Sequence, residues 1–371
     1  MSQALPAKRL LSLDIFRGAT VAAMILVNNP GDWGHIYPPL EHSVWNGCTP
    51  TDLIFPSFLF IVGVSIVYAM ESKKETPANH TKMILSALRR ALILIIISLV
   101  TQLIFHPGFE HLRFPGVLQR IGVVFFICSV LYIKTSQKTR DWLFGILLIG
   151  YYIMMCFVPV PGFGHANLEP ETNIGAWVDR LVFTENHLWS QSRTWDPEGL
   201  LGTLPAIATG LFGIRVGSWL KGKQHDDGTK VSWLFIYGTA AAVAGLAWGL
   251  FFPINKALWT SSFVLYTGGL ATMGLAFCYW LIDVQGYKRF SGIFIPFGIN
   301  AITAYVLSGY IPHYLYKITF HTASGEKNIY QLAFEPYFSP VNASLAAAVA
   351  LVMLLWVIMW VLYRKKIIIK V

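Results

Sequence analysis

Charge is scarce in this chain. Asp, Glu, Lys and Arg make up only 13% of 371 residues against 55% hydrophobic ones, at a mean hydropathy of +0.54. That balance excludes an ordinary soluble domain and points to a protein that crosses a membrane many times. The four cysteines, Cys48, Cys128, Cys156 and Cys278, show no paired or metal-type spacing. Three of them fall inside apolar runs, so they read as packing residues rather than a disulfide framework. No H-E-x-x-H and no His cluster at ligand spacing occurs, so no metal is expected. The glycine-rich phosphate loop and the dinucleotide fingerprint are also missing, which leaves ATP-driven pumping and redox chemistry without support. No internal repeat supports an inverted-repeat transporter. A homodimer would suit a membrane protein of this kind, but no G-x-x-x-G stretch stands out to assign one.

What is present is apolar sequence in long runs. Segments of the roughly 20 residues needed to cross a bilayer lie near 13–29, 53–70, 83–105, 115–133, 142–158, 200–220, 231–252, 258–282, 293–315 and 344–363. The fold class expected is an all-α polytopic membrane protein of about ten transmembrane helices in one bundle, with 1–371 as a single domain. The first run contains Asp14 and Arg17 and is followed by no small-residue cleavage site, so it reads as a retained helix rather than a signal peptide.

The net charge of +9 fits either nucleic acid or a membrane protein with its basic residues on one side, and their distribution decides. With Lys8 and Arg9 inside, roughly three-quarters of the Lys and Arg fall in the inner connections and the tail, the positive-inside pattern. Both termini are expected to be cytoplasmic, and no nucleic-acid partner is expected. The outer loops are then about 30–52, 106–114, 159–198, 253–257 and 316–343. The longest, 159–198, is rich in Pro, Gly, Trp and His and reads as a partly ordered lid.

Polar residues concentrate in the stretch 27–60 at the outer face. His42 is the first candidate for acid–base work, since an imidazole titrating near pH 6.5 can take a proton from a neutral nucleophile. A solvated loop histidine is the plain alternative, and His35 is a rival in the same loop. Asn28, at the outer end of the first helix, can donate to a developing oxyanion or orient the histidine; it can equally cap the helix, helped by Asn29. Asp52 opens the second helix, where an N-cap role alone would explain it.

Asp14 and Arg17 stand three apart on one helical face near the inner interface, placed to pair with each other or to hold a phosphate. Arg120 lies inside an apolar run and, with Arg113 and Gln119, can line a polar shaft or form an intramembrane salt bridge. Asp196 and Glu198 suit an amino or polyhydroxyl substrate, or merely cap a helix. Pro296, Gly298 and Asn300 interrupt the ninth segment, and interrupted helices tend to border cavities. Trp33, Trp45, Trp195 and Trp259 form either an aromatic belt or stacking surfaces for a sugar ring.

Several motifs together resemble one family. L-D-I-F-R-G (13–18), V-N (27–28), H-S-V-W-N-G (42–47) and D-L-I-F-P-S-F (52–58) carry the likeness. R-F-P-G-V-L-Q-R-I-G (113–122), D-P-E-G-L-L-G-T (196–203), N-K-A-L-W (255–259) and L-Y-R-K-K (362–366) extend it over nearly the whole chain. The family is that of the heparan-α-glucosaminide N-acetyltransferases, which are polytopic membrane enzymes. The resemblance implies acetyl-CoA as co-substrate from the cytoplasm and a glucosamine-type amine, free or on a glycan, as acceptor on the opposite face. It maps the catalytic pair onto His42 and Asn28. Placement relative to the membrane then gives Arg17, Arg113, Gln119, Arg120 and Asn300 to CoA, and Trp45, Asn46, Asp52, Asp196, Glu198, Asn255, Lys256 and Trp259 to the acceptor. The chain begins almost directly at L-D-I-F-R-G, as compact bacterial members do, which implies a bacterial inner membrane with the outer loops facing the periplasm. The loop between Asn28 and His42 is longer here and carries Pro38, Pro39 and His35, which favours a bacterial amino sugar or surface glycan over heparan. The rival function is an amino-sugar or N-acetylglucosamine transporter.

Overall fold

A computed structural model describes residues 10–289, 291–322 and 325–369. Lys8, Arg9 and Lys370, counted above to the inner side, lie outside the described residues. The chain runs through α1 (Leu11–Asn28), α2 (Ile54–Lys74), α3 (His80–Phe105), α4 (Val117–Lys134) and α5 (Gln137–Phe157). It continues through the short α6 (Ile174–Phe183), then α7 (Thr203–Lys221), α8 (Asp227–Trp248) and α9 (Ser261–Tyr279), the last running into a π turn at Trp280–Val284. The helices α10 (Ser291–Ile299), α11 (Ala301–Leu315), α12 (Ile329–Ala333) and α13 (Pro340–Arg364) complete it. A small antiparallel hairpin, β1 (Thr319–Thr322) with β2 (Gly325–Asn328), sits between α11 and α12, with Thr319 opposite Asn328.

The protein is an all-α polytopic membrane protein. Among the described residues eight helices are long and apolar enough to span a bilayer, or nine if α10 and α11 count as one broken span. Each expected crossing has become a helix, with two departures. The expected crossing at 200–220 is α7, which is not among the eight; most of its residues are buried against other helices, so its side chains need not be lipid-like. The expected crossing at 293–315 bends by 84° between α10 and α11. Pro296 removes one helical N–H there, and Asn300 leaves helical geometry at φ −112°, ψ 41°. At the bend the Asn300 amide holds the C-terminal tail: Nδ2 donates to the Ile367 carbonyl at 3.1 Å, and Oδ1 accepts from Ile369 N–H at 2.9 Å.

The helices group into two compact units. The first comprises Val44–Cys48 and Leu59–Ala276; the second comprises Leu10–Ser43, Thr49–Phe58 and the chain from Phe277 onward. In the first, α2 and α7 meet backbone to backbone. A Cβ added to Gly63 would lie 2.1 Å from the Gly210 carbonyl oxygen, and one added to Gly213 would lie 2.0 Å from that of Phe60. Small residues are what allow membrane helices to approach so closely. In the second unit Gly18 and Gly298 play the same part between α1 and α10, each facing the other helix's backbone at about 2 Å from a would-be Cβ.

Local sequence sets the helix ends. Ser136, Asn173 and Asp226 accept the N–H three residues on and so cap α5, α6 and α8. Helix α6 gives the 159–198 loop ordered structure of its own.

Candidate active site

His42 and Asp52 belong to the second unit, and the turn at Pro50–Leu53 brings them together. His42 Nδ1 lies 2.7 Å from Asp52 Oδ1. The other oxygen of Asp52 accepts from the backbone N–H of Ser43 and of Thr49, both at 3.0 Å, and from the Thr49 hydroxyl at 3.1 Å. A carboxylate surrounded by donors is ionised and only accepts. The proton between the pair is therefore on His42 Nδ1, which leaves Nε2 as the basic nitrogen. The Asp52 side chain is 1% exposed and that of His42 is 46% exposed. A fixed, dry carboxylate thus holds an imidazole that solvent can reach.

The rival His35 is built differently. Its Nδ1 lies 2.7 Å from Asp32 Oδ2, but both side chains are open, 49% and 41% exposed. Hydrogen bonding from His35, then from the Gly34 N–H, holds the Asp32 carboxyl below its ordinary range. This pair belongs to a turn pinned to α13. Ser344 bonds the Asp32 backbone in both directions, at 3.0 and 2.9 Å, and Tyr37 donates to Asn342 at 2.6 Å.

Asn28 is the last residue of α1 and is exposed. The capping position falls on Asn29, whose Nδ2 donates to the Ile25 carbonyl at 2.9 Å. Capping therefore does not occupy the Asn28 amide. At the other end of α1, Arg17 donates to Asp14 and to the Gly298 carbonyl, each at 3.2 Å.

The first unit holds the remaining candidates. Arg113 forms a two-point bond with Asp196, at 2.8 and 2.6 Å, and reaches Glu198 at 2.6 Å. Both carboxylates are buried, and their charges hold the Arg113 guanidinium above its ordinary range despite the cost of burial. Arg120 donates to the carbonyls of Pro197 and Gly199 and stacks over the Trp259 ring at 5.1 Å. The two arginines thus clamp one turn, 196–199. Gln119, beside them, has both amide atoms buried without a partner.

Trp259 is buried with φ at 55°, an uncommon left-handed geometry for a bulky residue. Asn255 supports that turn, accepting from Leu258 N–H at 2.8 Å, and it also donates to Asn46 at 3.2 Å. Lys256 lies half-buried in the same turn. Trp45 donates to the Leu168 carbonyl at 3.0 Å and meets Trp195 edge-on at 5.0 Å. These two rings, with Asp179 and Asp196, line a small pocket.

Asp179 escaped the reading of the sequence. Burial pushes its carboxyl up to about 6, although the Leu200 N–H, donating at 2.8 Å, opposes the shift. An acid on the apolar stripe of W-V-D-R (177–180) was the only local signal. Of the residues expected to contact CoA, Arg17, Arg113, Arg120 and Asn300 all make protein contacts, while the Gln119 amide and the Arg120 Nε keep an unmet hydrogen-bonding demand.

The family description "heparan-alpha-glucosaminide N-acetyltransferase, catalytic" matches residues 9–234. The chain is similar to a heparan-alpha-glucosaminide N-acetyltransferase of Mus musculus, 30% identical over 367 residues that cover 82% of this chain and 55% of that protein. It is similar to the Homo sapiens protein of the same name, 30% identical over 353 residues that cover 80% of this chain and 52% of that protein. The chain spans about half the length of these curated relatives.

Proposed function

The chain belongs to the heparan-alpha-glucosaminide N-acetyltransferase catalytic family, and from that premise we propose that it is a transmembrane N-acetyltransferase acting on the amine of a glucosamine-type sugar. The observation that carries the reading is the 2.7 Å contact between half-exposed His42 and buried Asp52. A base with a defined tautomer on a rigid support is what proton removal from an amine requires.

Acetyl-CoA, as co-substrate, supplies the acetyl group as a thioester. His42 Nε2 takes the amine proton as the amine nitrogen bonds to the acyl carbon. The Asn28 amide donates to the acyl oxygen as negative charge develops there, a contribution of about 3 kcal/mol where such donors have been removed elsewhere. His42 then returns the proton to the departing sulfur as the C–S bond breaks. Asp52 is a positioning residue: it fixes the ring and favours the imidazolium through that exchange. Arg17 is assigned to the CoA phosphates on the cytoplasmic side. In the first unit, Trp45 offers a stacking face to a sugar, with Asn46, Asn255, Lys256 and Trp259 in the turn beside it, and Gln119 offers an unspent amide to a polar group. Asp196 and Glu198 act through Arg113 on the shape of their turn. The basic inner connections orient the protein with both termini cytoplasmic and with His42 facing outward, in a bacterial inner membrane.

The test is a proteoliposome assay with acetyl-CoA inside and glucosamine outside. The parent protein forms N-acetylglucosamine outside, and His42→Ala lowers the rate by about 10² to 10⁴. Undiminished acetylation by His42→Ala would remove the histidine from the mechanism. Movement of labelled sugar without acetyl-CoA and without product would establish a transporter instead.

A further inference from the structure

An apolar groove of about 670 Å³, counting its open mouth, lies within the second unit. Its floor is α13 from Ala347 to Leu354 and its wall is the end of α11 at Leu315, with Phe334 on the loop side. The seven helical rises from Ala347 to Leu354 give the floor a length of about 10 Å. The lining is almost entirely apolar, and its polar groups, Asn29 and the hydroxyls of Tyr316 and Tyr330, belong to residues at the helix ends and in the following loop.

Two observations identify the occupant. The groove lies along a spanning helix of mean hydropathy 2.8 whose apolar window is only 22% buried in the protein, so hydrocarbon chains of the bilayer border that helix, and an extended hydrocarbon chain is what fits an apolar groove on it. Its rim is also joined to the proposed catalytic residues. Asn29 follows Asn28 directly, and Tyr316 donates to the Gly31 carbonyl at 3.3 Å, on the stretch that leads to His42. A molecule with a hydrocarbon tail in the groove would present its polar head at the end of α1.

We propose that the acceptor is an amino sugar carried on a lipid anchor, and that this groove binds the anchor. The proposal rests on the acetyltransferase reading for its head group and on the groove for its tail. A soluble amino sugar would then be a poorer acceptor than the same sugar on an alkyl chain, because anchoring in the groove raises its effective concentration at His42.

Two measurements test this separately from the acetyltransferase reading. In the first, methyl and octyl glucosaminides are compared as acceptors for protein in nanodiscs. The KM for the octyl compound is expected to be at least about tenfold lower, an advantage of the order that effective concentration supplies. Ala350→Trp, which fills the floor of the groove, should bring the ratio of the two KM values toward one. Val349→Trp, on the lipid-facing side of the same helix, should leave it unchanged. An equal loss of the ratio in both variants, or no ratio in the parent, overturns the proposal while leaving acetylation itself in place.

The second measurement needs no activity. An octyl glucosaminide bearing a photoreactive tail should crosslink to 315–316 and 347–354, and unlabelled octyl glucosaminide should compete where octyl phosphocholine does not. Crosslinks elsewhere, or equal competition by both, would mean occupancy by ordinary lipid only and would sink the proposal. Crosslinking at the groove without acetylation of either acceptor would uphold the anchor site and remove the acetyltransferase reading.

Discussion

Arg113 in the first unit and His42 in the second are each paired with a buried carboxylate, and the difference lies in what the pairing leaves over. Arg113 is divided between Asp196 and Glu198, and the adjacent Arg120 is held by the carbonyls of Pro197 and Gly199. The strong groups there are turned onto the protein and fix the shape of one turn. Asp52 is as dry as Asp196, but its partner is a half-exposed imidazole. Burying one member of an ion pair stores structure. Burying the carboxylate while leaving the imidazole half-exposed is the arrangement on which the proposed base rests. The His35–Asp32 pair makes the same 2.7 Å contact but is open on both sides.

The sharpest way to break this comparison is to remove the two histidines in turn. His42→Ala should lower acetylation by about 10² to 10⁴, whereas His35→Ala should change it by less than about threefold. Equal losses from the two variants, measured in the same proteoliposomes, would erase the distinction between a buried and an open carboxylate.

The first unit's pair is probed by stability. Arg113→Met leaves two buried carboxylates without their cation, a cost of about 3 to 5 kcal/mol. Thermal unfolding in detergent should show a large drop in Tm; an unchanged midpoint would mean that the clamp on 196–199 is not structural.

Asp179 gives a prediction of opposite sign to a salt-bridged acid. Its carboxyl sits at about 6 when folded, against an ordinary value of 3.8. Between those values the folded state binds the proton more strongly, so stability is highest at the acid end and falls as pH rises toward 6 and above. The penalty at neutral pH is about 3 kcal/mol. Asp179→Asn should flatten the Tm profile between pH 4 and 6.5, and a profile still falling with pH in the variant would assign the effect to another group.

Asp52 tests the support of the imidazole. Asp52→Asn can still accept from Ser43 and Thr49, but it then turns an N–H toward His42 Nδ1 and moves the imidazole proton to Nε2. With Nε2 protonated, His42 cannot take the amine proton, so the loss expected approaches that of His42→Ala, about 10² to 10⁴ in kcat with KM unmoved. A KM change at constant kcat would make Asp52 a substrate contact, the place the sequence reading had given it.

The apolar runs fixed the helices well because a bilayer demands length and hydrocarbon character from each span, and both can be read residue by residue. His42 and Asn28 were singled out for a related reason, as polar groups crowded at the end of an apolar helix and carried by motifs of the family. Asp196 and Glu198 were visible as a pair, yet their cation is 83 and 85 residues away. Asn300 was visible as a helix break, but the carbonyl and N–H that its amide bonds come from the tail at Ile367 and Ile369. Asp179 was hidden because its burial depends on neighbours outside its own helix.

Composition and hydropathy by themselves determined that this chain is an all-α membrane protein, and the motifs determined its family. Those properties are sums over local residues, and the solvent enforces them wherever the chain lies. Only the tertiary structure decided which carboxylate faces the imidazole, which arginines are spent on a turn, and where a groove opens beside α13. Hydrogen bonds and ion pairs act over about 3 Å in fixed directions, so their partners are settled by how helix ends and turns meet in space.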